Sequence, residues 1–179
     1  ADYSVCVMSG NFVQRGEPAI TDKWSRTRMA LKAGIDLILE LPVPYALRSA
    51  EYFAYGAVTL LNKTGIVDCL VFGSEVGNIN PLLTIGEILA EEPAELSTLI
   101  QAELKKGISF PEARANAVVD YISQTETNLT PTEIQNIISN PNNILGLEYI
   151  KALSRSNSSI QPVTIKRRGA DYHQQDIEG

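Results

Sequence analysis

A chain of 179 residues with 44% hydrophobic and 20% charged residues can bury a core as one domain, or as one large domain with a small helical appendage. Its formal charge of −6, from 15 Lys and Arg against 21 Asp and Glu, excludes the overall basic footprint of a nucleic-acid-binding domain. One histidine and two isolated cysteines exclude a His-rich metal site and a disulfide framework.

No apolar run nears the roughly 20 residues of a membrane-spanning helix, so the expectation is a cytoplasmic protein with no metal ligands of its own and no membrane partner. Residues 3–8 form an apolar run that predicts a short buried strand. It opens into the loop Ser9-Gly-Asn-Phe-Val-Gln-Arg-Gly-Glu-Pro18, flanked by Gly10 and Gly16. A polar loop at the carboxyl end of a strand is where open α/β sheets bind ligands, and Gln14 and Arg15 carry donors suited to phosphate or carboxylate. The plainer reading is a polar crossover loop.

Asp22 is placed to cap a helix through Arg26, Met29 and Leu31 that Gly34 ends, with Asp22 and Arg26 as a favourable i,i+4 pair. Lys23, Trp24, Arg26 and Arg28 give it a basic face, with Trp24 half in the core. Residues 36–41 predict a second strand. Ser49 is placed to cap a second helix, which carries Tyr52, Phe53, Val58, Leu60 and Leu61 and stops before Gly65. Residues 68–72 predict a third strand. The strand centres lie about 32 residues apart, the length of a βαβ unit, so a parallel sheet with helices on its faces is expected. The apolar runs 37–39 and 70–72 suit strands buried on both faces, and Cys6 and Cys69 read as buried free thiols.

Beyond Gly73 the pattern turns helical, over residues 81–90, 94–105, 111–122, 131–138 and 144–154. Ser109 with Glu112 and Thr130 with Glu133 have the spacing of capping boxes. Residues 160–166 then return as a strand. The organisation expected is an α/β core over 1–75, a helical segment over 76–158 packed on it, and a returning strand with a basic end over 159–179. Both ends read as cuts through a larger protein.

The strand ends carry the chemistry. The Ser9 to Glu17 loop, Glu40-Leu-Pro42 and Gly73-Ser74-Glu75 converge on one crevice if the strands are parallel neighbours. Gly73 admits an adenine or ribose against bare backbone, and Ser74 offers a hydroxyl. Asn142 and Asn143 could read a base edge or cap a helix. Arg167, Arg168 and His173 form a cationic group able to grip a triphosphate, or a solvated basic strand end. Glu40 and Glu51 have no partner at a readable spacing. There is no phosphate-binding G-x-x-x-x-G-K-[ST] loop, no G-x-G-x-x-G and no Ser/His/Asp arrangement.

Taken in order, Ser9-Gly-x-Phe-x-Gln-Arg-Gly-Glu-Pro-Ala19, Asp22-Lys-Trp24, Glu40-Leu-Pro42, Ser49-Ala-Glu-x-Phe-Ala54, Phe72-Gly-Ser-Glu75 and Pro141-Asn-Asn-Ile-Leu-Gly146 resemble the tRNA(Met) cytidine acetate ligases, of the HxGH-type nucleotidyltransferase superfamily. The resemblance implies a Rossmann-like parallel sheet of nucleotidyltransferase type with a helical insertion or appendage. It implies that ATP, with Mg²⁺, activates acetate as acetyl-adenylate, and that the acetyl group passes to N4 of the wobble cytidine of elongator tRNA(Met). The ATP contacts it implies are Gly73, one of Asn142 and Asn143, and one of Arg167 and Arg168. Ser9, Gln14, Arg15, Glu17 and Lys23 remain candidates for the substrate loop. The HxGH pair and the Ser-x-x-x-Ile-Arg-like run of the superfamily are missing, so a catalytically incomplete fragment is expected. A binding module without turnover, or a nucleotidyltransferase adenylating another small acid or phosphate ester, are the competing readings.

Overall fold

The computed structural model describes residues 2–14, 16–125 and 127–168. They run as β1 (Val5–Ser9), α1 (Lys23–Lys32), β2 (Leu37–Leu41), α2 (Val43–Ala46), α3 (Ala50–Thr64) and β3 (Cys69–Ser74). There follow α4 (Ile79–Glu91), α5 (Ala94–Leu104), α6 (Phe110–Ser123), α7 (Pro131–Ser139), α8 (Pro141–Arg155) and β4 (Gln161–Lys166). Every expected element is present, and α2 is an addition that starts directly after Pro42.

All strand pairing in the named strands is parallel. β1 pairs with β2 from Val5 opposite Leu37 to Ser9 opposite Leu41, and β3 pairs with β4 from Cys69 opposite Gln161 to Ser74 opposite Lys166. Among the described residues the strands therefore form two hydrogen-bonded pairs. Side chains hold the pairs together: Val5 and Val7 of β1 and Leu70 of β3 pack on the cluster of Val58, Leu61, Ala152, Leu153 and Ile160 contributed mainly by α3 and α8. Tyr149 of α8 lies 5.6 Å from the Phe72 ring, centroid to centroid, and burial, with Cys6 nearby, pushes its phenol up to about 12.

The strands are not buried on both faces as expected. Alternation and register place Cys69, Val71 and Gly73 with Val163 and Ile165 on one face of the β3–β4 pair. There Val71 is 55% and Ile165 61% exposed, because residues 2–168 lay no helix over that face. Cys69 is consequently exposed and Cys6 half-buried, correcting the expectation of two buried thiols.

The caps divide into met and unmet. Asp22 accepts from the amides of Trp24 and Ser25, and Thr130 with Glu133 closes a full capping box. Ser109 accepts from the Glu112 amide, but the reciprocal bond is not made, and Ser49 makes no side-chain cap bond. Arg26 does not turn to Asp22, whose carboxylate is spent on the cap; its guanidinium donates to the Gly10 carbonyl at 2.7 Å instead. Trp24 is 66% exposed, contrary to expectation, since α1 buries no residue.

The larger core joins Phe72 of β3 to Leu82, Ile85, Val118, Ile134 and Leu147 from the helical segment. α8 reaches this strand only because Gly146 has no side chain: a Cβ there would stand 2.5 Å from Phe72 Cε2. Gly146→Ala is therefore expected to cost about 1–3 kcal/mol by overpacking, read as a lower urea midpoint of the protein; an unchanged midpoint would show that Phe72 has room to move.

Candidate functional site

β3 and β4 end side by side, and the ladder runs one step beyond them, where the Arg167 amide donates to the Ser74 carbonyl at 3.0 Å. Alternation then sets Arg167 on the face that carries Gly73 and Ile165. A Cβ built on Gly73 would stand 3.2 Å from Arg167 Cγ. The arginine stem thus lies across the bare glycine. Arg168 is exposed and, among the described residues, makes no hydrogen bond or ion pair.

The two asparagines differ. They occupy the first turn of α8 behind Pro141, so neither is the N-cap, which is Asn140. Asn143 is buried, and its Oδ1 accepts from the backbone amides of Glu75 at 2.9 Å and Val76 at 3.1 Å. Glu75 answers in kind. Its Oε2 accepts from the Asn143 amide at 2.8 Å, and its Oε1 accepts from Asn142 Nδ2 at 2.7 Å and the Asn142 amide at 3.2 Å. Burial pushes the Glu75 carboxyl up, but these donors outweigh it, and the group sits below the usual carboxylate range. Asn142 Oδ1 remains for Arg167, whose guanidinium donates to it at 3.2 Å.

Gly73, Asn142, Asn143 and Arg167 thus come together, with Glu75 as the residue that sequence reasoning did not assign. Ser74 does not offer its hydroxyl outward. It is fully buried, accepts from the Gly77 amide at 3.0 Å and from Thr164 Oγ1 at 2.6 Å, and so holds the turn after β3. Beside the cluster a cleft of about 830 Å³ is lined by Glu75, Asn78, Asn80, Asn136 and Asn143, room enough for a nucleoside-sized group.

The loop after β1 is organised separately. Phe12 bridges to Pro18, Lys23 pairs with Glu40 at 2.7 Å, and the Lys23 amide donates to Asn11 Oδ1. Ser9 is buried at the end of β1, Gln14 is half-buried and Glu17 exposed. Arg15 and His173 lie outside the described residues. Among the described residues no hydrogen bond or ion pair joins this loop to the Gly73 cluster. Glu40 and Glu51 do have partners, Lys23 and Lys151, each on another element and so invisible to local spacing.

Comparison with known proteins gives these positions a setting. A family model described as HIGH Nucleotidyl Transferase matches residues 1–179. The tRNA(Met) cytidine acetate ligase of Halothermothrix orenii is 56% identical over 175 residues, covering 97% of this chain and 42% of that protein. That of Acetivibrio thermocellus is 53% identical over 179 residues, covering 100% of this chain and 42% of that protein. A crystal structure of apo Thermotoga maritima TmcAL matches with a TM-score of 0.93 at 44% identity, over 99% of this chain and 41% of that one. TmcAL from the same organism bound with alpha-thio ATP matches at 0.89 and 46% identity, over 94% of this chain and 40% of that one. The chain spans less than half the length of these relatives.

Proposed function

The chain belongs to the HIGH nucleotidyl transferase family, and from that membership we propose that it carries the nucleotide-gripping half of an ATP-dependent ligase acetylating a cytidine of tRNA(Met). The observation that carries the nucleotide reading is the bare Gly73 surface under the Arg167 stem, at the carboxyl ends of two paired parallel strands. A nucleotide can lie against backbone there with one guanidinium within reach of its phosphates. The names of the relatives and the alpha-thio ATP complex of TmcAL support the choice of ATP, acetate and tRNA(Met).

In the first step an acetate oxygen attacks the α-phosphorus, the bond to the bridging oxygen breaks, and pyrophosphate leaves. In the second, N4 of the wobble cytidine attacks the acetyl carbonyl, the bond from that carbon to the phosphate oxygen breaks, and AMP and one N4 proton leave, giving N4-acetylcytidine. Bringing a carboxylate to a triphosphate sets like charges together, and Arg167 offsets part of that repulsion. The N–H donors on both Glu75 oxygens hold its carboxyl below the usual range, which makes it a weak base. Among the described residues no group of three or more His, Cys, Asp and Glu side chains could hold a metal ion. A Mg²⁺ ion accompanying ATP would ride on phosphate oxygens and water. No described helix is long and apolar enough to cross a membrane.

The test is ATP–pyrophosphate exchange by the full-length protein. Exchange should require acetate and should fall when formate or propionate replaces it; exchange indifferent to acetate, or none, would overturn the reading.

A further inference from the structure

We infer that Glu75 is a positioning residue that, through Asn142, fixes the Arg167 guanidinium beside Gly73, an inference that rests on the nucleotide reading of that site. The first turn of a helix presents amides with no partner inside the helix and ordinarily welcomes an anion from solution. In α8 that seat is taken by the chain's own carboxylate, which binds the amides of both Asn142 and Asn143. Asn143 returns two bonds to the backbone at Glu75 and Val76, so the turn after β3 and the start of α8 lock each other from both sides. The lock leaves one group free to act outward. Asn142 Nδ2 donates to Glu75 Oε1, which fixes the amide plane and turns Oδ1 towards Arg167.

Among the described residues Glu75 makes no bond to Arg167, so it acts through Asn142. The arrangement sets the arginine before any ligand arrives and lowers the ordering cost of gripping a phosphate. It also denies the phosphates the α8 N-terminus, leaving them to the guanidinium.

A double-mutant cycle on ATP affinity in the full-length protein tests this. Glu75→Ala should weaken ATP binding about tenfold in the wild-type background and by less than about twofold in an Arg167→Ala background, because the arginine it positions is gone. Glu75→Gln, which keeps the shape and one acceptor oxygen, should fall between wild type and Glu75→Ala, and it covers the case in which the alanine variant fails to fold. Equal losses in both backgrounds would mean that Glu75 acts by general structure alone and would overturn the inference, as would unchanged affinity in both Glu75 variants. If Arg167→Ala itself leaves ATP affinity unchanged, the nucleotide reading fails first and carries this inference with it.

Discussion

Arg167→Ala is expected to weaken ATP binding about ten- to hundredfold, the loss of one charge-assisted contact worth about 1.5–3 kcal/mol. Arg168→Ala, one residue further on, should change it by less than about threefold. The contrast follows from the ladder: Arg167 continues the face of Gly73 and Ile165, whereas Arg168 lies beyond the last ladder bond. Gly73→Val provides an independent route to the same loss. Its Cβ would press on Arg167 Cγ, the middle of a flexible stem, so the fold should tolerate it while the guanidinium is displaced and the bare backbone covered. Isothermal titration with ATP on the full-length variants decides the matter. Equal effects from the two arginines, or full affinity in Gly73→Val, would move the nucleotide elsewhere.

How much of this was readable beforehand depends on how far each interaction travels along the chain. The strands and helices were legible because apolar runs, caps and glycine stops act within a few residues: Asp22, Thr130 with Glu133, and the run Leu37-Ile38-Leu39 each mark an element. Gly73, the asparagine pair and the arginine pair stood out by residue type at the ends of strands and helices, and resemblance to a family made them ATP contacts. The member of each pair that faces the site was not. It follows from strand parity for Arg167, and since Asn143 is buried against the turn after β3, it is Asn142 whose Oδ1 meets Arg167; both need the register of β4 on β3 and the docking of α8. Glu75 binds Asn142 from 67 positions away, and Glu51 binds Lys151 from 100, distances at which no local pattern survives. Trp24, Val71 and Cys69 were misjudged for a related reason. An apolar residue in a strand or helix signals burial only if some other element arrives to cover it, and none among residues 2–168 covers these.

The charges between α3, α6 and α8 are expected to carry a large stability effect. Lys151 is only 4% exposed, yet its ammonium lies 2.7 Å from Glu51 and 3.1 Å from Glu148, itself 5% exposed. Arg114 adds a longer contact to the other Glu148 oxygen, at 3.3 Å, while Oε2 faces the Lys151 ammonium and has no hydrogen bond among the described residues. Such a network gains little over apolar packing while intact, but removing one member strands the others in a low-dielectric setting. Lys151→Ala should therefore cost about 3–5 kcal/mol, seen as a fall in the urea midpoint of the protein, and Lys151→Met with Glu148→Leu should recover much of the loss. The penalty should also depend on pH. The hydrogen bond from Lys151 holds the Glu51 carboxyl below its ordinary value, against a smaller upward push from burial. A depressed folded value means stability that is present above the unfolded carboxylate pKa of about 4.3 and lost as pH falls through the folded one. The gap between wild type and Lys151→Ala should accordingly narrow as the solution is acidified through that window. A gap of under about 1 kcal/mol at neutral pH, or one that widens on acidification, would show that the ion pairs of α8 are screened by water and do not hold α3 and α6 in place.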